Sequence, residues 1–131
     1  MSESIMTLTS EHNRQDTGEG LTKAITERGF GVIAVHDLEA TLAKKGVILG
    51  RGCLVYEVCN PQQVKRVLDS DMSISTALPC RISVYEEAGN TKLTTILPSV
   101  LLSAFGKPEL SSVAEEVEAV MVESMREAAA S

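Results

Sequence analysis

The sequence predicts an α+β fold, a two-layer sandwich in which a mixed, mostly antiparallel five-stranded sheet carries its helices on one face. Along the chain, the predicted elements run strand, helix, strand, short helix, strand, helix, strand, strand, helix. A succession that combines helical crossovers with a hairpin is typical of this fold class. The chain has 131 residues, of which 44% are hydrophobic, and this is enough for one continuous core. We therefore expect a single domain over residues 1–131.

The first half of the chain alternates strands with helices. Apolar residues that alternate with hydroxyl residues predict a strand over Ser4–Thr9. Asp16 followed by Glu19 predicts a helix start, and the helical repeat of apolar residues continues to Arg28. The β-branched residues of Phe30–Val35 predict a buried central strand.

A short helix and a second central strand are predicted next. Asp37 is a suitable cap for a helix over Leu38–Lys45, with Leu38 and Leu42 turned inward. The following strand is Cys53–Cys59, whose residues alternate between two faces. One face carries Leu54, Tyr56 and Val58.

The segment after this strand has the clearest helix start in the sequence. Asn60 is a favoured N-cap, and Pro61 is at home in the first helical position. The helix is predicted to end near Asp69. Its buried stripe consists of Val64, Val67 and Leu68.

The second half of the chain contains a hairpin. Met72–Leu78 is predicted to be a loop that Pro79 closes, because the residue before a proline favours extended conformations. Arg81–Glu86 and Lys92–Leu97 are predicted strands, joined by a turn at Ala88–Asn90.

A proline and a long helix complete the chain. Pro98 is predicted to break the last strand. Ser112 and Glu115 have the spacing of a capping box, which predicts a final helix over about residues 112–129. Its inward residues are Val113, Val117, Val120 and Met121.

Composition excludes several classes of partner. Aromatic residues make up 3% of the chain and the formal net charge is -6, so neither base stacking nor a cationic phosphate-binding surface is available. We expect no nucleic-acid partner. The sequence shows no signal peptide in its first residues and no apolar run of about 20 residues. We expect no membrane association and a cytoplasmic location.

The predicted layers also suggest an assembly state. A sheet covered by helices on one face leaves the other face half exposed, and such a face commonly pairs with a second copy. We therefore expect a homodimer. We expect no cofactor, because the glycines at positions 46, 50 and 52 do not follow a strand and open a helix as dinucleotide-binding glycines do.

The residues best placed for chemistry are two cysteines. Cys59 ends a strand immediately before the helix capped by Asn60, and the partial positive charge of a helix N-terminus stabilises a thiolate. Cys80 adjoins Arg81, whose cation would favour the charged form of that sulfur. We take Cys59 and Cys80 as candidate catalytic residues, with Asn60, Pro61 and Arg81 as candidate binding residues.

Structural roles compete with these assignments. Free cysteine is among the most buried residue types, so Cys59, Cys80 and especially Cys53 could serve for packing. His36 at a strand end is a further candidate binding residue, with a satisfied structural histidine as the alternative. The three cysteines and His36 lack the spacing of a zinc site, so we expect no metal.

Three segments together carry a family resemblance. Tyr56-Glu57-Val58-Cys59-Asn60-Pro61, the later Leu78-Pro79-Cys80-Arg81 and the entry Gly29-Phe30-Gly31-Val32 resemble the family catalogued as domain of unknown function 302. The resemblance covers about residues 21–97 and implies a TBP-like two-layer sandwich, often seen as a dimer. It implies no established activity.

The functional expectation follows from the two thiols. The leading hypothesis is a thiol-based redox or sulfur-transfer role that uses Cys59 and Cys80. The alternative is a small-ligand-binding or protein-interaction module in which the cysteines are structural. The sequence favours no enzyme class.

Overall fold

The computed structural model describes residues 4–130 and has five strands and five α-helices in that range. The strands are β1 (Ile5–Ser10), β2 (Gly31–Asp37), β3 (Cys53–Cys59), β4 (Cys80–Glu87) and β5 (Asn90–Ile96). The helices are α1 (Arg14–Glu27), α2 (Leu38–Lys44), α3 (Pro61–Ser70), α4 (Pro98–Ser103) and α5 (Ser111–Ala129). Short 3-10 helices cover Met72–Ala77 and Pro108–Leu110.

The five strands form one sheet in the order β1-β5-β4-β3-β2, and every neighbouring pair is antiparallel. The expectation of a mixed sheet is therefore wrong in detail. β1, β4 and β2 run in the same direction, but no two of them are neighbours, because α1 carries the chain from one edge of the sheet to the other. For the same reason β2 is an edge strand rather than a central one. A bulge between Val32 and Ala34 interrupts its register.

The predicted layering is confirmed, because α1 and α5 lie side by side on one face of the sheet. Gly18 lets α1 approach closely, since a Cβ atom there would collide with the hydroxyl of Tyr56. Burying a large aliphatic side chain contributes about 2 kcal/mol. The fully buried core residues of the two layers are Leu21, Ile25, Met121, Met125, Val58, Ile82, Val84 and Leu93.

A second apolar cluster lies at one end of the sheet and supports the candidate site. It joins α3, the 3-10 helix Met72–Ala77, α4 and the start of α5. Leu78 and Val117 pack against both clusters, so the two are continuous. Its buried members are Val67, Ile74, Leu102, Leu110, Val113 and Ala114.

Two predicted helix starts are wrong. The N-cap of α1 is Asn13, whose side-chain oxygen accepts a hydrogen bond from the backbone N–H of Asp16 at 2.7 Å. Asp16 therefore lies inside the first turn. At α5 the helix begins at Ser111 with no side-chain cap, so the capping box predicted for Ser112 does not form. A 3-10 turn leads directly into the helix and replaces it.

The remaining differences concern short elements. The α2 cap at Asp37 is confirmed, because its carboxylate accepts from the N–H of Ala40 at 2.9 Å. However, α2 has no buried residue, so the inward positions expected for Leu38 and Leu42 are wrong. Pro98 ends the strand as expected but also begins α4, since proline fits the first helical position.

Candidate functional site

The two candidate thiols lie at the adjoining ends of neighbouring strands. Cys59 is the last residue of β3 and Cys80 is the first residue of β4. In the register between these strands Val58 is paired with Cys80, so the two cysteines are offset by one position. Both cysteines are free.

The helix that follows Cys59 begins as the sequence predicts. The Asn60 side-chain oxygen accepts a hydrogen bond from the N–H of Gln63 at 3.1 Å, and its amide donates to the carbonyl of Gly29 at 3.4 Å. These two bonds tie the start of α3 to the entry of β2. Pro61 occupies the first turn and is exposed. The thiol of Cys59 is thus held directly before a helix N-terminus.

Cys59 and Cys80 line one small apolar cavity of about 30 Å³. The cavity lies between the end of the sheet and helices α3, α4 and α5. Cys59 is half-buried, whereas Cys80 is 8% exposed. The apolar wall includes Phe30, Val58, Val67, Leu78, Leu102 and Val117.

The environment of Cys80 overturns one expectation from the sequence. Burial and, to a smaller extent, negative charge on Cys59 raise the pKa of the Cys80 thiol to about 11, and Arg81 opposes these effects only in part. The expectation that Arg81 would favour a thiolate at Cys80 is therefore wrong in net direction. Cys80 carries its proton at neutral pH.

Arg81 has only a small effect on the pKa of Cys80 because its side chain points to the other face of the sheet. Successive residues of a strand alternate in direction, so Arg81 lies beside Glu57 rather than beside the cavity. Its Nη2 atom is 3.0 Å and its Nε atom 3.1 Å from Glu57 Oε2. His36 joins the same carboxylate, with Nε2 at 3.4 Å from Oε1. The predicted binding residues thus divide between two faces.

Cys53 lies apart from both groups, at the opposite end of β3. Burial raises the pKa of its thiol, and negative charge on Asp37 raises it further. Among residues 4–130 no group of three or more His, Cys, Asp or Glu side chains is arranged to hold a metal ion.

Sequence reasoning missed a polar residue of the cavity, Gln63. It stands three positions after the N-cap Asn60, which is the position where a capping-box glutamine would reach back to the cap. Instead its amide Nε2 donates to Glu116 Oε1 on α5 at 3.0 Å. Its Oε1 atom is buried and makes no hydrogen bond with any residue of the described range. The position of Gln63 three residues after Asn60 was the sequence signal that could have identified it.

The fold and the two free cysteines define the class of protein. It is an antiparallel α+β sandwich with two cysteines at one apolar cavity. The family described as Domain of unknown function DUF302 matches residues 6–128, and the chain belongs to it. This confirms the resemblance and extends it beyond residues 21–97.

The fold is shared with a protein of known structure. The crystal structure of an uncharacterized conserved protein DUF302 from Bacillus stearothermophilus is similar, with 28% sequence identity and a TM-score of 0.91. The match covers 97% of this chain and 99% of that one. No curated protein matches the sequence. Within the part of the chain described, no helix combines the length and apolar character needed to cross a membrane.

Proposed function

We propose that this protein carries sulfur, with Cys59 accepting one sulfur atom from a small persulfide and holding it in the cavity as a protein persulfide. The observation that carries the proposal is that half-buried Cys59, at the end of β3, lines an apolar cavity of about 30 Å³ together with a second cysteine whose thiol is protonated.

The transfer step balances without an external oxidant or reductant. The Cys59 thiolate attacks the outer sulfur of a donor R–S–SH, the sulfur–sulfur bond of the donor breaks and R–S⁻ leaves. The product is Cys59–S–SH, a persulfide. An acceptor thiolate can take the outer sulfur in the same way, which restores the Cys59 thiolate.

The size and polarity of the cavity favour a sulfur atom over a larger ligand. Pockets for drug-sized molecules have volumes of about 300–1,000 Å³, whereas this cavity measures about 30 Å³. About 10–15 Å³ suffices for one water-sized atom, but an ordered water also needs two to four polar partners. An apolar wall offers few of these, so an added sulfur suits the cavity better than water does.

The protonated state of Cys80 supports sulfur carriage. A thiolate at Cys80 would attack the inner sulfur of the persulfide, form a disulfide with Cys59 and expel HS⁻. Because burial raises the pKa of Cys80 to about 11, only a very small fraction of this thiol is ionised at neutral pH. The bound sulfur would therefore survive until an acceptor arrives.

A dithiol–disulfide couple between Cys59 and Cys80 is the second candidate. From the strand spacing and the rise per residue, positions offset by one on neighbouring antiparallel strands have α-carbons about 6 Å apart. This separation is within the α-carbon range of a disulfide. Regular strand alternation directs side chains at such offset positions to opposite faces, so the bond requires Cys59, the last residue of β3, to turn out of the strand geometry. The observation in its favour is that both cysteines line the same cavity.

Intact-mass spectrometry after exposure of the reduced protein to an alkyl persulfide tests the first candidate. We expect a gain of one sulfur atom in the wild type and in Cys53→Ser, whose changed residue lies outside the cavity. Cys59→Ser should gain none. Absence of the gain in the wild type, or its persistence in Cys59→Ser, would refute sulfur carriage. Loss of two hydrogens, with Cys59 and Cys80 joined, would indicate the disulfide couple.

We also propose that two copies pair through the uncovered face of the sheet. Ile5 and Ile96 are cross-strand partners on that face and are 51% and 47% exposed. Sedimentation should report a dimer for the wild type and a shift toward monomer for Ile96→Lys. Ile48→Lys is the matched control, because Ile48 is 89% exposed in a loop away from the strands. A monomeric wild type would refute the pairing.

A cytoplasmic location is proposed as well, supported by the three free cysteines. A reducing compartment keeps such thiols unpaired.

A further inference from the structure

We propose that the Oε1 atom of Gln63 accepts a hydrogen bond from the S–H group of the sulfur carried on Cys59, so that the cavity holds this sulfur in its protonated form. This inference rests on the proposed function and adds the group that recognises the bound sulfur.

The orientation of the Gln63 amide is fixed by its partner on α5. Its Nε2 atom lies 3.0 Å from Glu116 Oε1. An ionised carboxylate only accepts hydrogen bonds, so the NH₂ group must face Glu116. The atom left without a partner is therefore the oxygen, an acceptor.

The unpaired oxygen belongs to a residue of the cavity wall. Gln63 lines the same cavity as Cys59 and Cys80, and its Oε1 atom is buried without a hydrogen-bond partner among the described residues. A buried polar atom without a hydrogen-bond partner raises the free energy of the folded state, so a donor at this position would be stabilising. The rest of the wall is almost entirely apolar, which leaves few competing donors.

The chemistry of the proposed sulfur meets this need. A persulfide in its neutral form has one S–H donor, and an uncharged acceptor oxygen stabilises that form. The titratable groups around this position are Cys59 on β3, Cys80 on β4 and Glu116 on α5, while no titratable residue of α4 lines the cavity. Negative charge on Glu116 also disfavours a persulfide anion.

The experiment measures how fast iodoacetamide alkylates the persulfide of the loaded protein across a pH series, with mass spectrometry as the readout. The persulfide anion is the reactive form, so the midpoint of the profile reports its ionisation. Gln63→Met keeps a side chain of similar length and removes the acceptor. We expect its midpoint to fall by about 0.5–1 pH unit, the worth of one hydrogen bond, with a threefold to tenfold faster reaction at pH values below the wild-type midpoint.

Two control variants separate the acceptor from the contact between helices. Glu116→Gln keeps an oxygen for the Gln63 amide to bind and should leave the profile nearly unchanged. The exchange Gln63→Glu with Glu116→Gln preserves the total charge and restores an acceptor oxygen at position 63, so its midpoint should not fall below that of the wild type. Unfolding midpoints in urea verify that the variants are folded.

The outcomes distinguish this inference from the proposed function. If the wild type takes up no sulfur, both fail. If it takes up sulfur but Gln63→Met has the wild-type profile, or if Glu116→Gln shifts the profile as much as Gln63→Met does, the role of Gln63 fails and sulfur carriage stands.

Discussion

The two faces of β3 and β4 are opposite environments, one apolar and one charged. Residues that are adjacent in the sequence lie on different faces. On the helix side, Val58 and Cys80 lie in apolar packing, and Cys80 keeps its proton. On the uncovered side, Glu57 and Arg81 form an ion pair at 3.0 Å. Adjacent positions in the sequence are thus separated by the thickness of the sheet. The comparison teaches that a charge beside a cysteine in the sequence has only a small effect on the sulfur when the two side chains lie on opposite faces.

The largest expected effect comes from placing a charge on the helix side. Val58 is fully buried, so Val58→Asp should lower the free energy of unfolding by about 4 kcal/mol or more, because an unpaired charge would be buried. Val55→Asp changes the same strand on the uncovered face and should cost about 1 kcal/mol or less. Urea denaturation measures both, and equal losses would contradict the difference between the faces.

A smaller effect is expected from the ionisation of Cys80 at high pH. Burial raises its pKa from the ordinary 9.0 to about 11, so the folded state binds its proton more tightly than the unfolded state does. This contribution to stability is fully present below pH 9 and is lost as the pH rises through 11. It amounts to about 3 kcal/mol.

Denaturation at a series of pH values between 9 and 11 measures this loss. Cys80→Ala should lose about 2 kcal/mol less over that interval than the wild type does. Cys53→Ala is the counterpart on the uncovered face and should follow the wild type much more closely. Parallel curves for the wild type and Cys80→Ala would show that Cys80 can ionise in the folded state without penalty.

The smallest effect is expected from the ion pair on the uncovered face. Arg81 is 55% exposed, and exposed pairs contribute about 0–1 kcal/mol. Arg81→Ala should therefore change the free energy of unfolding by less than about 1 kcal/mol. It should also leave the alkylation rate of Cys59 unchanged at neutral pH and slow that of Cys80 only slightly, because Arg81 affects the pKa of Cys80 less than burial does. A marked slowing at Cys80 would mean that Arg81 acts on that thiol across the sheet.

Local sequence signals predicted the part of the site that depends on neighbours along the chain. The strand Cys53–Cys59 and the cap at Asn60 followed by Pro61 form as expected, because alternation and capping are local properties. Asp16 failed as a cap because Asn13 offered an equally suitable side chain one turn earlier. Local preference could not choose between them.

Features that depend on contacts distant in sequence could not be predicted. The edge position of β2 follows from the path of α1 across the sheet. The high pKa of Cys80 depends on packing by helices far along the chain. Gln63 acquires its unpaired oxygen only because Glu116, on a helix 53 positions later, engages its amide.

The pairing of Ile5 with Ile96 sets a condition on how the chain can be assembled during synthesis. The first strand emerges from the ribosome long before its neighbour in the sheet, β5, has been made. Contacts that join such distant positions form slowly because a long loop must close first. Until β5 is made, β1 has no partner and the edge of β4 that will hold β5 is unpaired. A nascent chain truncated before β5 therefore exposes strand edges on which other chains can associate.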